Sequence, residues 1–405
     1  MKISKKLTFY IKNIFWLSIT CLMALPLYLW SFLKRSSEKK LRILIIPPVK
    51  IGDLVCATPI FREIKKNFPE SYLGVVLLAD SGRRTTSYQL LKNNPYIDKI
   101  ILPDKKREIN TIGILKLIIR IYREKYNWSF TLTSGVIEKV IPFLAIIPNR
   151  VTTVSPYATT TSKMLNFVGN YKSEIKLNDL ALRHHLKLLK FIGIKKFDQR
   201  KEIFISQKEK RKATQFLKKY NLNPNDLLIG IAVTAGNKLK EWNKENFARL
   251  SDRLIEELGA RIIFVGGPKD KKDIFFVQSK MKHKSIDSSS ELNLIELAAL
   301  FRYLKLFISV DTGPLYMANA MKVPVIDIVG PCSIYDQPPV GDNCEIVYKD
   351  LPCFPCSFVI KTARVCKYGH RKCIKDITVN DVFNAATRLL SKQYKYKPKK
   401  KSSSS

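Results

Sequence analysis

Residues 306–329 hold two apolar runs, Leu306 to Val310 and Val323 to Val329. The polar turn Asp311-Thr312-Gly313-Pro314 and a small-residue segment through Ala318, Asn319, Ala320 and Met321 join them. The pattern reads strand, turn, helix, strand, which implies neighbouring parallel strands. In a parallel sheet such a turn lies at the carboxyl end of the first strand, where open α/β sheets bind ligands. The N–H groups at the helix start attract anions. A phosphorylated ligand is therefore the expected occupant of this turn. Any strand–helix–strand unit has a polar turn, so the expectation depends on what accompanies it.

The same alternation recurs along the chain. Leu41 to Ile46 reads as a buried strand leading through Pro47, Pro48, Val49, Lys50, Ile51, Gly52 and Asp53 into a helical pattern ending near Asn67. Further strands are expected at Tyr72 to Leu78, Lys99 to Leu102 and Trp128 to Thr133. A second series runs from a strand at Leu227 to Val233 through a helix at Lys244 to Leu258 and a strand at Arg261 to Val265. A helix near Leu292 to Arg302 and the 306–329 unit complete it. The expectation is α/β, with two Rossmann-like doubly wound domains at 39–210 and 211–391 and a join near 205–225. A length of 405 residues and 46% hydrophobic content can fill two cores. Residues 392–405, Lys-, Tyr- and Pro-containing and ending in four serines, are too polar to bury anything and read as a disordered tail.

Residues 14–33 carry no charge over twenty positions, which at about 1.5 Å per residue is roughly the hydrocarbon thickness of a bilayer. Residues 1–38 therefore read as a membrane segment with basic flanks. Lys2, Lys5, Lys6 and Lys12 precede the apolar stretch, and Lys34, Arg35, Lys39, Lys40 and Arg42 follow it, so the charge bias leaves its orientation open. Trp16, Tyr28 and Trp30 lie near its ends, as interfacial aromatics do, and Pro26 allows a kink or an interfacial helix. A single span, an interfacial anchor and a cleaved signal all fit the composition; the last is disfavoured by length and by the lack of a small-residue cleavage site.

Lys and Arg number 71 against 34 Asp and Glu, a formal net charge of +37, so negatively charged partners are expected: an anionic membrane or phosphorylated substrates. No nucleic-acid recognition motif accompanies the scattered basic residues, and nucleic acid is not an expected partner.

Four constellations suggest chemistry. Lys50, Gly52 and Asp53 follow the first strand. Glycine admits close approach, and an acid is favoured at a helix start, where Asp53 also reads as a simple N-cap. The loop Thr234 to Trp242, with Gly236, Asn237, Lys238 and Lys240, suits a diphosphate, though it lacks the ending of an NTPase phosphate loop. Gly266-Gly267-Pro268-Lys269-Asp270 is another strand exit that fits a ribose or a plain turn. Cys353, Cys356, Cys366 and Cys373 fall within 21 residues; a structural zinc site, reduced packing thiols and disulfides are all compatible with their spacing. Cys21, Cys56, Cys332 and Cys344 look solitary. His184 and His185 are adjacent in a helical pattern and cannot share one face, which argues against a two-histidine metal site.

Taken together, ILIIPPVKIGDLVCATPIFREIKKNFPES at 43–71, GNKLKEWNKENFARLSDRL at 236–254, GGPKD at 266–270 and DTGPLYMANAMKVPVIDIVGP at 311–331 resemble the lipopolysaccharide heptosyltransferase family, glycosyltransferase family nine. The later LPCFPC with two following cysteines looks like a pattern of the same family. The resemblance, over about residues 41–385, implies a GT-B architecture of two Rossmann-like domains facing a cleft. It implies an inverting transfer of a sugar, heptose in such a family, from an ADP-linked donor to a lipid-linked oligosaccharide such as lipopolysaccharide core. No metal is needed for that chemistry.

On matching positions, Asp53 corresponds to the general base, with Lys50 and Gly52 on the acceptor side. Lys240 corresponds to the diphosphate-binding lysine. Thr234, Gly236, Asp270, Asp311, Thr312 and Gly313 correspond to the rest of the donor site. The implied location is the cytoplasmic side of the inner membrane. Tyr316 stands where the family commonly has histidine, and Pro47 to Lys50 replace more polar residues. A non-catalytic sugar-nucleotide-binding protein of envelope assembly is the alternative class, and Asp53 and Lys240 argue against it.

Overall fold

The computed structural model describes residues 2–33, 40–78, 81–103 and 110–394. The chain divides into two compact units, Met1–Gln199 and Arg200–Ser405.

The first unit runs α1 (Lys2–Leu33), β1 (Arg42–Ile46), α2 (Ile51–Ala57), α3 (Pro59–Asn67), β2 (Tyr72–Val76), α4 (Ser81–Leu91), β3 (Lys99–Ile101), α5 (Thr111–Arg123) and β4 (Trp128–Thr131). It continues with α6 (Val136–Leu144), β5 (Asn149–Val154), α7 (Thr160–Met164), β6 (Tyr171–Glu174) and α8 (Ala181–Lys187). Its six strands form one parallel sheet in the order β3-β2-β1-β4-β5-β6. Ile43, Leu44, Ile45 and Ile46 of β1 are all buried, as a strand covered on both faces requires. The helical pattern expected to run unbroken to Asn67 is two helices. Pro59 has no N–H to continue the first helix, and Thr58 Oγ1 donates to the carbonyl of Val55 (2.8 Å) at the break.

One side of helix α1 packs on the rest of the first unit. Asn13, Trp16 and Thr20, spaced one helical turn apart, are buried, and Leu17, Ala24 and Leu27 pack beside them. Their partners are α6 and α7, and Trp16, 1% exposed, shares one apolar cluster with Val140 and Phe143 of α6 and Leu117 of α5. Lys34, Arg35 and Lys39, expected to flank the segment, lie outside the described residues, as does most of the expected tail.

The second unit runs α9 (Gln207–Lys219), β7 (Leu228–Ala232), α10 (Lys244–Leu258), β8 (Arg261–Phe264), α11 (Lys271–Ser279), β9 (Ile286–Asp287), α12 (Leu294–Phe301), β10 (Leu306–Val310) and α13 (Gly313–Ala320). It ends with β11 (Val325–Ile328), β12 (Cys344–Val347), α14 (Lys372–Lys375) and α15 (Val379–Tyr394). The sheet is again parallel, in the order β12-β11-β10-β7-β8-β9. Helix α10 shows why the sequence folds so. Phe247, Leu250, Leu254 and Leu258 repeat at helical spacing and are buried, Asn243 caps the start, and Gly259 (φ 67°) ends it in the left-handed region.

The division lies at Gln199/Arg200, earlier than the expected 210/211. All of α9, which packs on α12, falls in the second unit. Lys201 is held there too, by Asn319 Oδ1 (3.0 Å).

Candidate functional site

In each sheet the chain reverses direction beside the strand that opens the unit: between β1 and β4 in the first, between β7 and β10 in the second. Such switch points are where doubly wound sheets bind ligands.

In the second unit the switch point is built by three strand exits. After β7, Thr234 Oγ1 donates to Asp270 Oδ1 (2.8 Å), and Asp270 Oδ2 accepts from the N–H of Gly267 (2.7 Å), so one carboxylate ties the β7 exit to the β8 exit. Gly236 faces open space: a Cβ there would touch nothing within 4 Å. The chain then makes a short 3-10 turn, Lys238–Lys240, that aims Lys240 at the β10 exit. Lys240 Nζ donates to Asp311 Oδ2 at 2.6 Å. Thr312 caps α13 with extended backbone and no side-chain bond, Gly313 opens the helix and Pro314 follows. The N–H groups of that first turn are thus not satisfied by the cap side chain.

The Lys240–Asp311 pair is buried among polar neighbours. The Tyr316 hydroxyl donates toward Asp311 Oδ1 (2.6 Å) and the carbonyl of Gln337 (2.7 Å). Burial opposes charge on both partners. Even so, Asp311 and Cys332 hold the Lys240 ammonium above its ordinary pKa, while Lys240, Tyr316 and Cys332 hold the Asp311 carboxyl below its own. Burial, reinforced by Asp311, pushes the Cys332 thiol well up, so it stays protonated. Asp327, on β11 beside Ser309 of β10, is raised well above the carboxylate range by burial and by Asp311, and its Oδ1 has no partner. Burial pushes Asp336 up to about 6, against the stabilising N–H of Val359 (2.8 Å).

The structure brings Lys240, Asp311, Thr312 and Gly313 together at one strand exit, beside Cys332, which looked solitary in the sequence and touches this pair. Its position just past β11 was the available signal.

In the first unit, Lys50 is the extended residue that caps α2, with no side-chain bond. Asp53 is therefore not the cap but the third residue of the helix, 24% exposed, with Oδ2 at 3.9 Å from Lys50 Nζ. Gly52 is buried beneath them. Ser87 Oγ, on α4, donates to the carbonyl of Val49 (2.9 Å) and fixes the approach to the turn. A half-exposed carboxylate at the exit of a central strand, with a cation alongside, can accept a proton from a bound hydroxyl.

The cysteine-rich segment is not an independent insert. The N–H groups of Cys356 and Ser357 donate to the carbonyl of Pro331 (3.1 and 2.9 Å), and Ser333 N donates to the carbonyl of Ser357 (2.9 Å). Asn237 Nδ2 donates to the carbonyl of Ala363 (2.8 Å). The segment thus lies against the loop after β11 and the Thr234–Trp242 loop. All eight cysteines are free thiols. Burial first, then the neighbouring cysteines, raise Cys356 and push Cys373 up to about 11. Cys366 is lowered by the N–H of Arg371, with those of Tyr368, Gly369 and His370 assisting. Among the described residues no three His, Cys, Asp or Glu side chains gather into a group that could hold a metal ion. The four thiols influence one another. His184 and His185 lie on α8, both buried and far below the ordinary histidine pKa, and join no site.

Residues 115–365 match the family model described as glycosyltransferase family 9 (heptosyltransferase). The chain belongs to glycosyltransferase family 9. As a family 9 member it is a glycosyltransferase. It is 24% identical over 360 residues to lipooligosaccharide heptosyltransferase 2 of Campylobacter jejuni, covering 87% of this chain and 100% of that protein. Among solved structures, the family 9 glycosyltransferase of Veillonella parvula superposes with a TM-score of 0.74 at 22% identity, covering 88% of this chain and 100% of that one. The ADP-heptose lipopolysaccharide heptosyltransferase II of E. coli superposes with a TM-score of 0.69 at 18% identity, covering 87% and 99%. At these identities the structural likeness speaks to the GT-B fold, whose two Rossmann-like sheets are those described above.

Proposed function

We propose that this family 9 enzyme transfers heptose from ADP-heptose to a lipid-linked oligosaccharide of the lipopolysaccharide core, with inversion, at the inner membrane. The observation that carries the reading is the buried Lys240–Asp311 pair at the start of α13. A compact cation and a helix N-terminus at one switch point suit a diphosphate, since an ammonium has three donors and Asp311 occupies part of that capacity. The names of the Campylobacter and E. coli relatives support heptose, ADP and a lipopolysaccharide acceptor.

In the proposed step, Asp53 takes the proton of the acceptor hydroxyl as that oxygen attacks the anomeric carbon. The bond from that carbon to the diphosphate oxygen breaks, and Lys240 with the first-turn N–H groups of α13 stabilises the charge on the departing ADP. A single displacement inverts the anomeric configuration. Thr234 and Asp270 brace the loops on the nucleoside side. Zinc on the four cysteines is a separate proposal that plays no part in this step.

The test has two arms. Thermal stabilisation by ADP-, GDP-, UDP- and CMP-linked sugars is compared, with ADP-heptose expected to give the largest shift. Asp53→Asn is then expected to lower turnover by about 10² to 10⁴ while leaving that shift intact. Equal shifts from all four donors would remove ADP-heptose, and an unchanged rate in the variant would remove Asp53.

A further inference from the structure

Helix α1 is long and apolar enough to cross a bilayer, yet it is committed elsewhere. Leu7–Leu27 is its apolar window. Within that window the face from Asn13 to Leu27 lies against the first unit, with Trp16 and Thr20 buried and Thr20 Oγ1 turned back to the carbonyl of Trp16 (2.7 Å). A spanning helix needs about 20 residues surrounded by hydrocarbon. Here a stripe of Asn13, Trp16 and Thr20 is buried where α1 meets α6 and α7, so crossing would drag those elements into the membrane or strip Trp16 from its slot.

The outward side of α1 is almost wholly apolar: Leu7, Ile11, Ile14, Phe15, Leu22 and Leu25 are exposed. The same apolar cluster that takes up Trp16 also takes up Leu117, Ile118 and Ile121 of α5, so both helices cover the same face of the first sheet. Helix α5 repeats the pattern. Its inner residues are buried, while Ile112 (64% exposed), Leu115, Ile119 and Tyr122 form an outward stripe at spacings of three, four and three. Lys116, Arg120 and Arg123 stand exposed beside that stripe, and Met164 is exposed beside Lys163 on α7, which α1 also touches. No acidic residue occurs in α1, α5 or α7. A soluble surface rarely leaves so many large apolar side chains unpartnered, and it does not separate acids from bases in this way by composition alone.

We propose that the outer faces of α1 and α5 form a monotopic membrane-binding surface that seats in an anionic lipid leaflet, with α1 lying along the leaflet instead of crossing it. The apolar stripes enter the acyl boundary while Lys116, Arg120, Arg123 and Lys163 meet the phosphate headgroups. This rests on the reading that the acceptor is lipid-linked, and it adds which side of the enzyme meets that lipid. The charge pattern selects an anionic bilayer over a second copy of the chain, which carries the same positive face and would repel it.

The test is flotation of the full-length protein with phosphatidylcholine vesicles, with and without phosphatidylglycerol, in the absence of any acceptor. Wild type is expected to float chiefly with the anionic vesicles. Leu115→Glu combined with Ile119→Glu, on a helix remote from the Asp53 turn in sequence, is expected to lose roughly tenfold or more of that binding. Leu115→Val with Ile119→Val is expected to keep it. The stabilising shift by nucleotide sugar reports folding and tests the donor reading separately. Flotation of the glutamate pair equal to wild type would overturn the proposal in favour of α1 acting alone as a span. A wild type that does not float but self-associates, with the glutamate pair monomeric, would overturn it in favour of a second copy.

Discussion

Arg371 donates to the backbone carbonyl of Lys238 at 2.9 Å although 133 residues separate them. The same nitrogen reaches the carbonyl of Glu241 at 3.0 Å. One guanidinium from the cysteine-rich segment therefore brackets the turn that presents Lys240. Arg371→Ala is expected to weaken donor binding by about 1–2 kcal/mol, through a looser loop and not a lost ligand contact. Titration calorimetry checks it: affinity should fall for ADP-heptose, whereas turnover at saturating donor should change little. A collapse of turnover with intact affinity would assign Arg371 elsewhere.

Lys240→Ala removes a cation and also leaves the buried Asp311 carboxylate without its neutralising charge, with only the Tyr316 hydroxyl and the Cys332 thiol against it. Donor affinity is expected to fall by about 1.5–3 kcal/mol, and less for adenosine than for ADP-heptose. Combined with Asp311→Asn, the loss of thermal stability should be smaller than the sum of the single effects, because the pair is coupled. Additive losses would mean that the 2.6 Å contact has no energetic weight.

Trp16→Ala opens a cavity where α1 meets α6. Its expected cost is about 3–5 kcal/mol, read as a fall in the denaturation midpoint of the first unit. Removal of residues 1–38 should be worse, since Ile137, Leu144 and Phe167 would lose their cover. If the truncated chain matched the full one in stability, α1 would be an appendage after all.

His184 and His185 make stability depend on pH. Burial holds the first down to about 4, and burial with the adjacent His184 holds the second down to about 3. The unfolded chain binds these protons near pH 6.5 and the folded chain does not, so the unfolded state holds more protons in between. Stability from this source is complete above about pH 6.5 and is lost as pH falls toward 4 and then 3. Urea midpoints at pH 7 and pH 5 should differ for the wild type and differ less for His185→Asn. A larger difference in the variant would contradict the sign.

What could be read from the sequence followed from burial. Strands β1, β7 and β10 are continuous apolar runs because both faces are covered, and their exits carry Asp53, Gly236 and Asp311. Strands β5, β6 and β12 escaped notice. Asn149, Thr152, Lys172 and Glu345 interrupt any apolar run there, as positions toward a sheet edge allow. The polar surroundings of Lys240 were equally hidden. Tyr316 was visible as a departure from the family's histidine, but nothing local indicated that it shares Asp311 with Lys240. Apolar length alone gave no hint that α1 has a buried stripe, because Asn13, Trp16 and Thr20 declare themselves only at helical spacing.

The slot for Trp16 imposes an order of events on synthesis. Its partners are α6 and the cluster that also holds Leu165 and Val168, which leave the ribosome about 120 to 150 residues after Trp16 itself. At roughly 5–20 residues per second that delay is several seconds to about half a minute. For that interval the nascent chain carries an apolar helix whose partner in the fold has not yet been made. The first unit can therefore close its apolar cluster only after α6 has been made.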